Sequence, residues 1–340
     1  MSMTLLPELR RRALAGDADA QLALGARLMT GDGVPLDAVE GAGLIALASG
    51  QGSADAAALL ATVEAMGAGR PQSWTRAFDC LALAAERGSS SAQAQLALLN
   101  RDPGLAAEAR GSAPFAGDLW KRLRAGLDVA ALTTPPPKRS LAETPRIRVV
   151  DGFASPAECE WVMARTRGGL RPAKVVDQVS GEEKSHPDRT NKAIALNVVG
   201  MDVVTEILRA RIAAATNLPV PVFEPAQIMH YSVGEEFRPH YDFLTDTEEG
   251  WAAQLHRFGQ RIATFLLYLN DDFEGGATDF PSAGLSHRGR QGDALFFANV
   301  DPSGAPDRLT FHAGRPPTSG EKWILSQWIR DRTPRPPGDQ

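Results

Sequence analysis

The chain is expected to combine two fold classes in succession. An all-α array of helical repeats comes first, and a β-rich domain with flanking helices follows. Three observations carry this expectation. Gly16, Gly52 and Gly88 recur at a spacing of 36 residues within a segment of Ala and Leu at helical spacing. A run of prolines, Pro135 to Pro137, cannot continue a helix, because proline has no amide hydrogen and clashes with the preceding turn. Beyond it, 146–150, 264–268 and 322–328 alternate in the manner of strands.

The repeat extends over residues 16–100. Ala20, Ala56 and Ala92 keep the register of the glycines, as do Leu24, Leu60 and Leu96. Gly31 and Gly67 repeat, and so do Gly33 and Gly69. Small alanines let helices approach closely, and a glycine after a first helix suits the left-handed C′ position. The pattern resembles tetratricopeptide-like repeats, with two full copies and a partial third. An open array needs a cap, and 118–127 fits one, with Leu119, Leu123 and Leu127 along a face. This region, 1–132, carries no catalytic constellation. It is either a concave surface for a peptide or partner protein, or an extension that stabilises or dimerises the chain.

Residues 133–144 are expected to be a Pro-rich linker, 145–334 a second domain and 335–340 a tail. Ser155, Pro156 and Glu158 fit N-cap, N1 and N3 of a helix, and 201–216 should form a second one. Segment 174–198 reads as strands around a polar excursion at 179–188, where His186 is expected to be an exposed loop residue. Composition excludes several classes of function. Net charge is −5 and no basic run is long enough to follow a phosphate backbone, so nucleic acid is not an expected partner. No apolar stretch approaches the roughly 20 residues of a membrane helix. The first residues lack the order of a signal peptide, so cytoplasmic residence is the expectation. Cys80 and Cys159 read as thiols that pack as small apolar groups.

The chemistry centres on His240 and Asp242. On a strand, residues i and i+2 face the same way, so an imidazole and a carboxylate can converge on one metal ion. His312 is the candidate third ligand, and two histidines with one carboxylate make a facial triad that leaves coordination positions open. Alone, the pair also fits a surface histidine beside a loop aspartate.

The surrounding residues resemble the prolyl 4-hydroxylase family of Fe(II)/2-oxoglutarate dioxygenases. Glu224, Gln227, Tyr231, Gly234, Phe237, His240 and Asp242 stand in the family's frame, followed by Arg261, Thr264, Tyr268, Thr278, His312, Lys322 and Trp328. The resemblance implies a double-stranded β-helix (jelly roll) with helices packed outside. It implies Fe(II) on His240, Asp242 and His312, and the co-substrates 2-oxoglutarate and O2, with ascorbate as a further cofactor. Lys322 would hold the far carboxylate of 2-oxoglutarate, and Tyr231, Tyr268, Thr278, Ser326 and Trp328 would complete that pocket. Arg261 and Trp328 match positions associated with substrate, although Arg261 could equally pair with the acidic loop at 246–249. That loop, with Trp251, could be part of a lid at 246–254. His230 falls on the opposite strand face from Tyr231, and His256 and His287 read as surface residues.

The family's Arg-Thr-Ser-x-Gly-like segment is replaced by Arg189, Thr190, Asn191, Lys192 and Ala193. Asp242 stands where a halogenating relative has a small residue, so hydroxylation is expected. The function implied is a prolyl 4-hydroxylase acting on a peptide or protein and releasing succinate and CO2. A hydroxylase of another residue or of a small molecule, or a non-catalytic protein-binding scaffold, are the alternatives.

Overall fold

The computed structural model describes residues 5–111, 118–173, 175–176, 183–184, 188–245 and 249–333. The chain divides into two compact units, Met1–Thr134 with Asn197–Ala210, and Pro135–Leu196 with Arg211–Gln340. Among the described residues no helix is long and apolar enough to cross a membrane.

The first unit is helical. Its helices are α1 (Leu5–Leu14), α2 (Ala18–Thr30), α3 (Ala38–Gly50), α4 (Ala54–Met66), α5 (Trp74–Glu86), α6 (Ser90–Leu99), α7 (Pro103–Gly111), α8 (Asp118–Ala125) and α9 (Val129–Thr133). The 36-residue period is a period of caps as well as of core residues. Asp17, Ser53 and Ser89 accept hydrogen bonds from the amides of Ala20, Ala56 and Ala92, and Asp37 and Ser73 do the same one helix later. Each satisfies an amide that the first helical turn leaves unpaired. Gly31 and Gly67 end α2 and α4 in the left-handed conformation, which glycine adopts without a Cβ clash. Leu119, Leu123 and Leu127 of the expected cap are all buried, the last just beyond the end of α8.

Residues 197–210 belong to this helical unit. Val198 packs with Met29, Ala42, Ile45, Leu60 and Val63, and the Val203 amide donates to Gln95 Oε1 at 3.1 Å. The segment opens α11 (Val203–Thr216), whose Thr205 amide donates to the Asp202 carboxylate. The stretch 133–144, expected as a linker, ends in a strand. Pro135 to Pro137 carry no amide hydrogen, but every residue of Arg139–Ala142 can donate, and this segment pairs with the next strand.

The second unit holds an eight-stranded and a four-stranded antiparallel sheet. Its main strands are β1 (Arg139–Ala142), β2 (Ile147–Val150), β3 (Arg171–Pro172), β4 (Lys192–Ala195), β5 (Gln227–Tyr231), β6 (Phe237–His240), β7 (Arg261–Tyr268), β8 (Thr278–Phe280), β9 (Leu285–His287), β10 (Ala294–Ala298), β11 (His312–Gly314) and β12 (Lys322–Arg330). The large sheet runs β1-β2-β10-β7-β12-β5-β4-β3 and the small one β9-β8-β11-β6. One apolar cluster joins them. Ile147, Val149, Met229, Tyr231, Leu266, Tyr268, Leu295, Phe297 and Ile324 come from the large sheet and Phe280 from the small. Helix α10 (Pro156–Thr166) starts with a full capping box, Ser155 with Glu158, and Glu158 also forms a buried pair with Arg211 at 2.6 Å. His186 lies outside the described residues.

Removing residues 1–134 should therefore do more than shorten the chain. Val203, Val204, Ile207 and Leu208 are fully buried, and each such side chain contributes about 1.5–3 kcal/mol when withdrawn from water. The truncated protein should melt well below the full chain, or precipitate, in a thermal denaturation series. Equal melting temperatures would show that 197–210 does not depend on the helical unit.

Candidate active site

The small sheet sets two of the three candidate ligands. In the antiparallel pair β6–β11, His312 lies directly opposite His240. Asp242 follows β6 by two residues, and its carboxylate faces both imidazoles. The ligand atoms of the three side chains lie within 4.8 Å of one another. His240 Nε2 is 3.6 Å from Asp242 Oδ1, and His312 Nε2 is 3.5 Å from Asp242 Oδ2. Both imidazoles are braced from behind. His240 Nδ1 meets the Arg238 carbonyl at 2.7 Å and His312 Nδ1 the Thr310 carbonyl at 2.9 Å. A carbonyl only accepts, so each Nδ1 carries the proton and each Nε2 presents a lone pair to the cluster. Phe237 stacks on the His240 ring with centroids 3.5 Å apart.

The electrostatics agree with metal binding. Burial would raise the Asp242 carboxyl, but the neighbouring His312 and His240 imidazoles overcome it and hold the group well below the carboxylate range. Burial, reinforced by His240, pushes His312 down to about 4. At neutral pH the cluster thus offers an anionic carboxylate and a neutral imidazole, the forms in which these side chains bind a metal. Two imidazoles and one carboxylate fit a divalent transition metal such as Fe(II).

The large sheet supplies the opposite wall. Lys322 opens β12 opposite Tyr231 of β5, and its Nζ lies 5.0 Å from the Tyr231 ring centroid. Lys322 is 1% exposed. Burial pulls its ammonium down to about 7, with partial relief from Asp279. A lysine so placed is prepared for an anionic ligand, because a buried cation is expensive without one. One cavity, open at its mouth, is lined by Tyr231, His240, Asp242, Thr264, Thr278, His312, Lys322, Ser326 and Trp328 together with Met229, Phe237, Leu266, Gly314 and Ile324. The Tyr268 hydroxyl reaches its wall through Thr278 Oγ1, 2.9 Å away. Burial pushes the Tyr231 phenol up to about 12, so it remains a donor.

Arg261, like Tyr268, is an expected site residue that does not itself line this cavity. Its guanidinium makes two hydrogen bonds to Glu224, at 2.6 and 2.9 Å, and lies 4.1 Å from the Trp328 ring centroid. Arg330 joins the same carboxylate. Arg261 begins β7 beside the end of β12, so Glu224 is within reach, the other partner considered being the 246–249 loop. Residues 246–248 of that loop lie outside the described residues, and Trp251 sits on α12 (Glu249–Phe258). The surface reading of His287 is corrected. It is half-buried, edge-on to Tyr268 at 5.8 Å, and burial lowers its pKa. His230 is buried away from the cavity against Glu321, and His256 is exposed. Met229 and Gly314 were not singled out as lining residues, yet each is two residues from one that was. Phe237 entered only as part of a motif. Asn299, behind Thr264, has no local signal.

Two imidazoles, a carboxylate and a buried lysine around one cavity are the donor set of the 2-oxoglutarate- and Fe(II)-dependent oxygenase class. Residues 226–330 match the 2OG-Fe(II) oxygenase superfamily. Probable prolyl 4-hydroxylase 7 of Arabidopsis thaliana is 34% identical over 207 residues, covering 56% of this chain and 64% of that protein. Prolyl 4-hydroxylase 1 of the same plant is 34% identical over 203 residues, covering 56% and 70%. The chain thus spans just under two thirds of the first relative's length and slightly more of the second's. A Sel1 repeat protein from Oxalobacter formigenes is similar in structure to 35% of this chain, over 97% of its own, with 27% identity and a TM-score of 0.29. The chain belongs to the prolyl 4-hydroxylase family of 2OG-Fe(II) oxygenases.

Lys322 yields a pH prediction. An anion that pairs with it needs the protonated form. Below pH 7 the empty site already holds that proton, and above pH 7 binding must take one up. The affinity for 2-oxoglutarate should fall about tenfold per pH unit above neutrality, with proton uptake visible by calorimetry in two buffers. Affinity flat from neutral to alkaline pH would remove Lys322 as the anion's partner. Lys322→Ala should weaken 2-oxoglutarate binding by about tenfold to over a hundredfold, from roughly 1.5–3 kcal/mol of lost charge-assisted bonding, with metal affinity little changed.

Proposed function

We propose that the C-terminal unit, read as a double-stranded β-helix, is an Fe(II)- and 2-oxoglutarate-dependent dioxygenase that hydroxylates prolyl residues of a peptide or protein and releases succinate and CO2. The observation that carries this reading is the convergence of His240, Asp242, His312 and Lys322 on one cavity. Similarity to curated prolyl 4-hydroxylases supports proline as the target. Fe(II) held by the triad would supply the redox chemistry with O2 that oxidative decarboxylation of 2-oxoglutarate requires.

The protein's own contribution is positional. Lys322 anchors the far carboxylate of 2-oxoglutarate by charge, with Tyr231, Thr278 and Ser326 as hydroxyl partners. Tyr268 orients the Thr278 hydroxyl. Trp328, stacked beneath Arg261, forms a flat wall of the cavity toward the substrate, and the Glu224 pair stops the guanidinium from swinging away. The surrounding Met229, Leu266 and Ile324 keep water from the reacting carbon. The net charge of −5 favours a peptide or protein over nucleic acid as partner. Ascorbate as a reductant, cytoplasmic residence and a homodimer through the helical repeats extend this reading.

Succinate release from 2-oxoglutarate, measured with and without proline-rich peptides, tests it directly. A peptide that stimulates release should gain the mass of one oxygen on proline. His240→Ala and His312→Ala should each abolish both signals while circular dichroism stays native, because each removes one of three protein ligands. Succinate production at the wild-type rate in either variant would discard the triad. Stimulation by a small molecule or by a peptide without proline would move the substrate elsewhere.

A further inference from the structure

We infer that Thr264, itself held by Asn299, is a positioning residue that commits one oxygen of Asp242 to a protein hydrogen bond and leaves the other for the metal. The inference rests on the reading of His240, Asp242 and His312 as metal ligands. Thr264 Oγ1 donates to Asp242 Oδ2 at 2.6 Å, and Asn299 Nδ2 donates to Thr264 Oγ1 at 3.0 Å. All three side chains are buried: Thr264 is 1%, Asp242 3% and Asn299 0% exposed.

The direction of this chain is forced. An ionised carboxylate can only accept, so the Thr264 proton must point at Asp242. The threonine oxygen is then free to accept, and only the amide nitrogen of Asn299 can donate to it. Asn299 is fixed from its backbone, whose N–H donates to the Ile262 carbonyl at 2.8 Å and whose carbonyl accepts from the Asp307 amide at 3.0 Å. Thr264 is fixed inside the large sheet, between Phe297 of β10 and Trp328 of β12. Asn299 Oδ1, by contrast, is buried without a hydrogen-bond partner. Leaving a buried acceptor unsatisfied is unfavourable, and a leucine of similar size would avoid it. The asparagine at this position is thus explained by its donor and not by its packing.

The arrangement gives Asp242 the brace that the histidines have by other means. His240 and His312 are held by backbone carbonyls two residues before them. Asp242 lies beyond the end of β6, where no ladder hydrogen bond fixes its carboxylate, and Thr264 reaches across from the large sheet to do so. With one oxygen engaged, the carboxylate is disposed to bind a metal through the other alone. Coordination positions then remain for a chelating co-substrate and O2. Partners behind metal ligands typically change metal affinity by about tenfold to a hundredfold when removed.

The test is Mn(II) binding by the metal-free full-length protein, read from the electron paramagnetic resonance signal of the free ion, with thermal melting as a check on folding. Thr264→Val should lose about tenfold to a hundredfold in Mn(II) affinity. Thr264→Ser, which keeps the hydroxyl, should bind nearly as wild type. Asn299→Leu leaves Thr264 in place but removes its donor, and should bind more weakly than wild type by a smaller factor than Thr264→Val. Wild-type affinity in Thr264→Val, or equal loss in Thr264→Val and Thr264→Ser, would overturn the proposal. If Thr264→Val fails to fold, Asn299→Leu at wild-type affinity would do the same. Failure of the wild-type protein itself to bind Mn(II) would instead overturn the metal site on which the proposal stands.

Discussion

The register of β6 against β11 is the constraint on which the rest of the site depends. His312 stands opposite His240 in a ladder of only a few residues. Side chains alternate faces along a strand, so a slip of one residue would turn one imidazole out of the cavity. The pairing is held from the far side by β8, where Thr278 lies opposite Gly314 and Asp279 opposite Ala313. Phe237 covers the His240 ring and Phe297 packs edge-on against His312. The small sheet therefore holds both imidazoles on one face, with aromatic rings packed against each.

The large sheet forms the facing wall, and its task is electrostatic. Lys322 and Tyr231 occupy facing positions on β12 and β5, and Ser326 and Trp328 follow on the same face of β12. A lysine placed in an apolar wall is destabilised as a cation. An aspartate placed beside two imidazoles is stabilised as an anion. The cavity thus carries a preformed negative end for a metal and a poorly satisfied positive end for an anion. Both ends are built before any ligand arrives, and a ligand that relieves them gains affinity from that preparation.

The helical unit obeys a different rule. Its repeat is enforced at helix ends, where Asp17, Ser53 and Ser89 cap in turn and Gly31 and Gly67 close. Between these ends the alanines lie almost without exposed surface, as at Ala56, Ala57, Ala61, Ala84 and Ala85. Helices lined with such small residues approach closely enough that a Cβ on Gly25 would meet Ile45 at 2.8 Å. Residues 197–210, remote in sequence, complete this packing through Val198 and Val203.

The sequence by itself determined the helical repeat, the triad and the lysine. Each rests on a short-range period: 36 residues for the repeat, and two residues for His240 with Asp242 and for Lys322 with Ser326 and Trp328. The capping box at Ser155 was legible in the same way, and His312 entered as a candidate ligand through the resemblance of the whole motif set. Only the tertiary structure decided which cation meets which anion. Arg261 meets Glu224, because β7 runs beside β12. It also decided that 197–210 packs with helices a hundred residues earlier, that His287 is drawn in against Tyr268, and that Asn299 stands behind Thr264. The reason is physical. A strand's periodicity specifies which face a side chain takes, but its partner is chosen by sheet order, and sheet order is set by contacts between residues far apart in the chain.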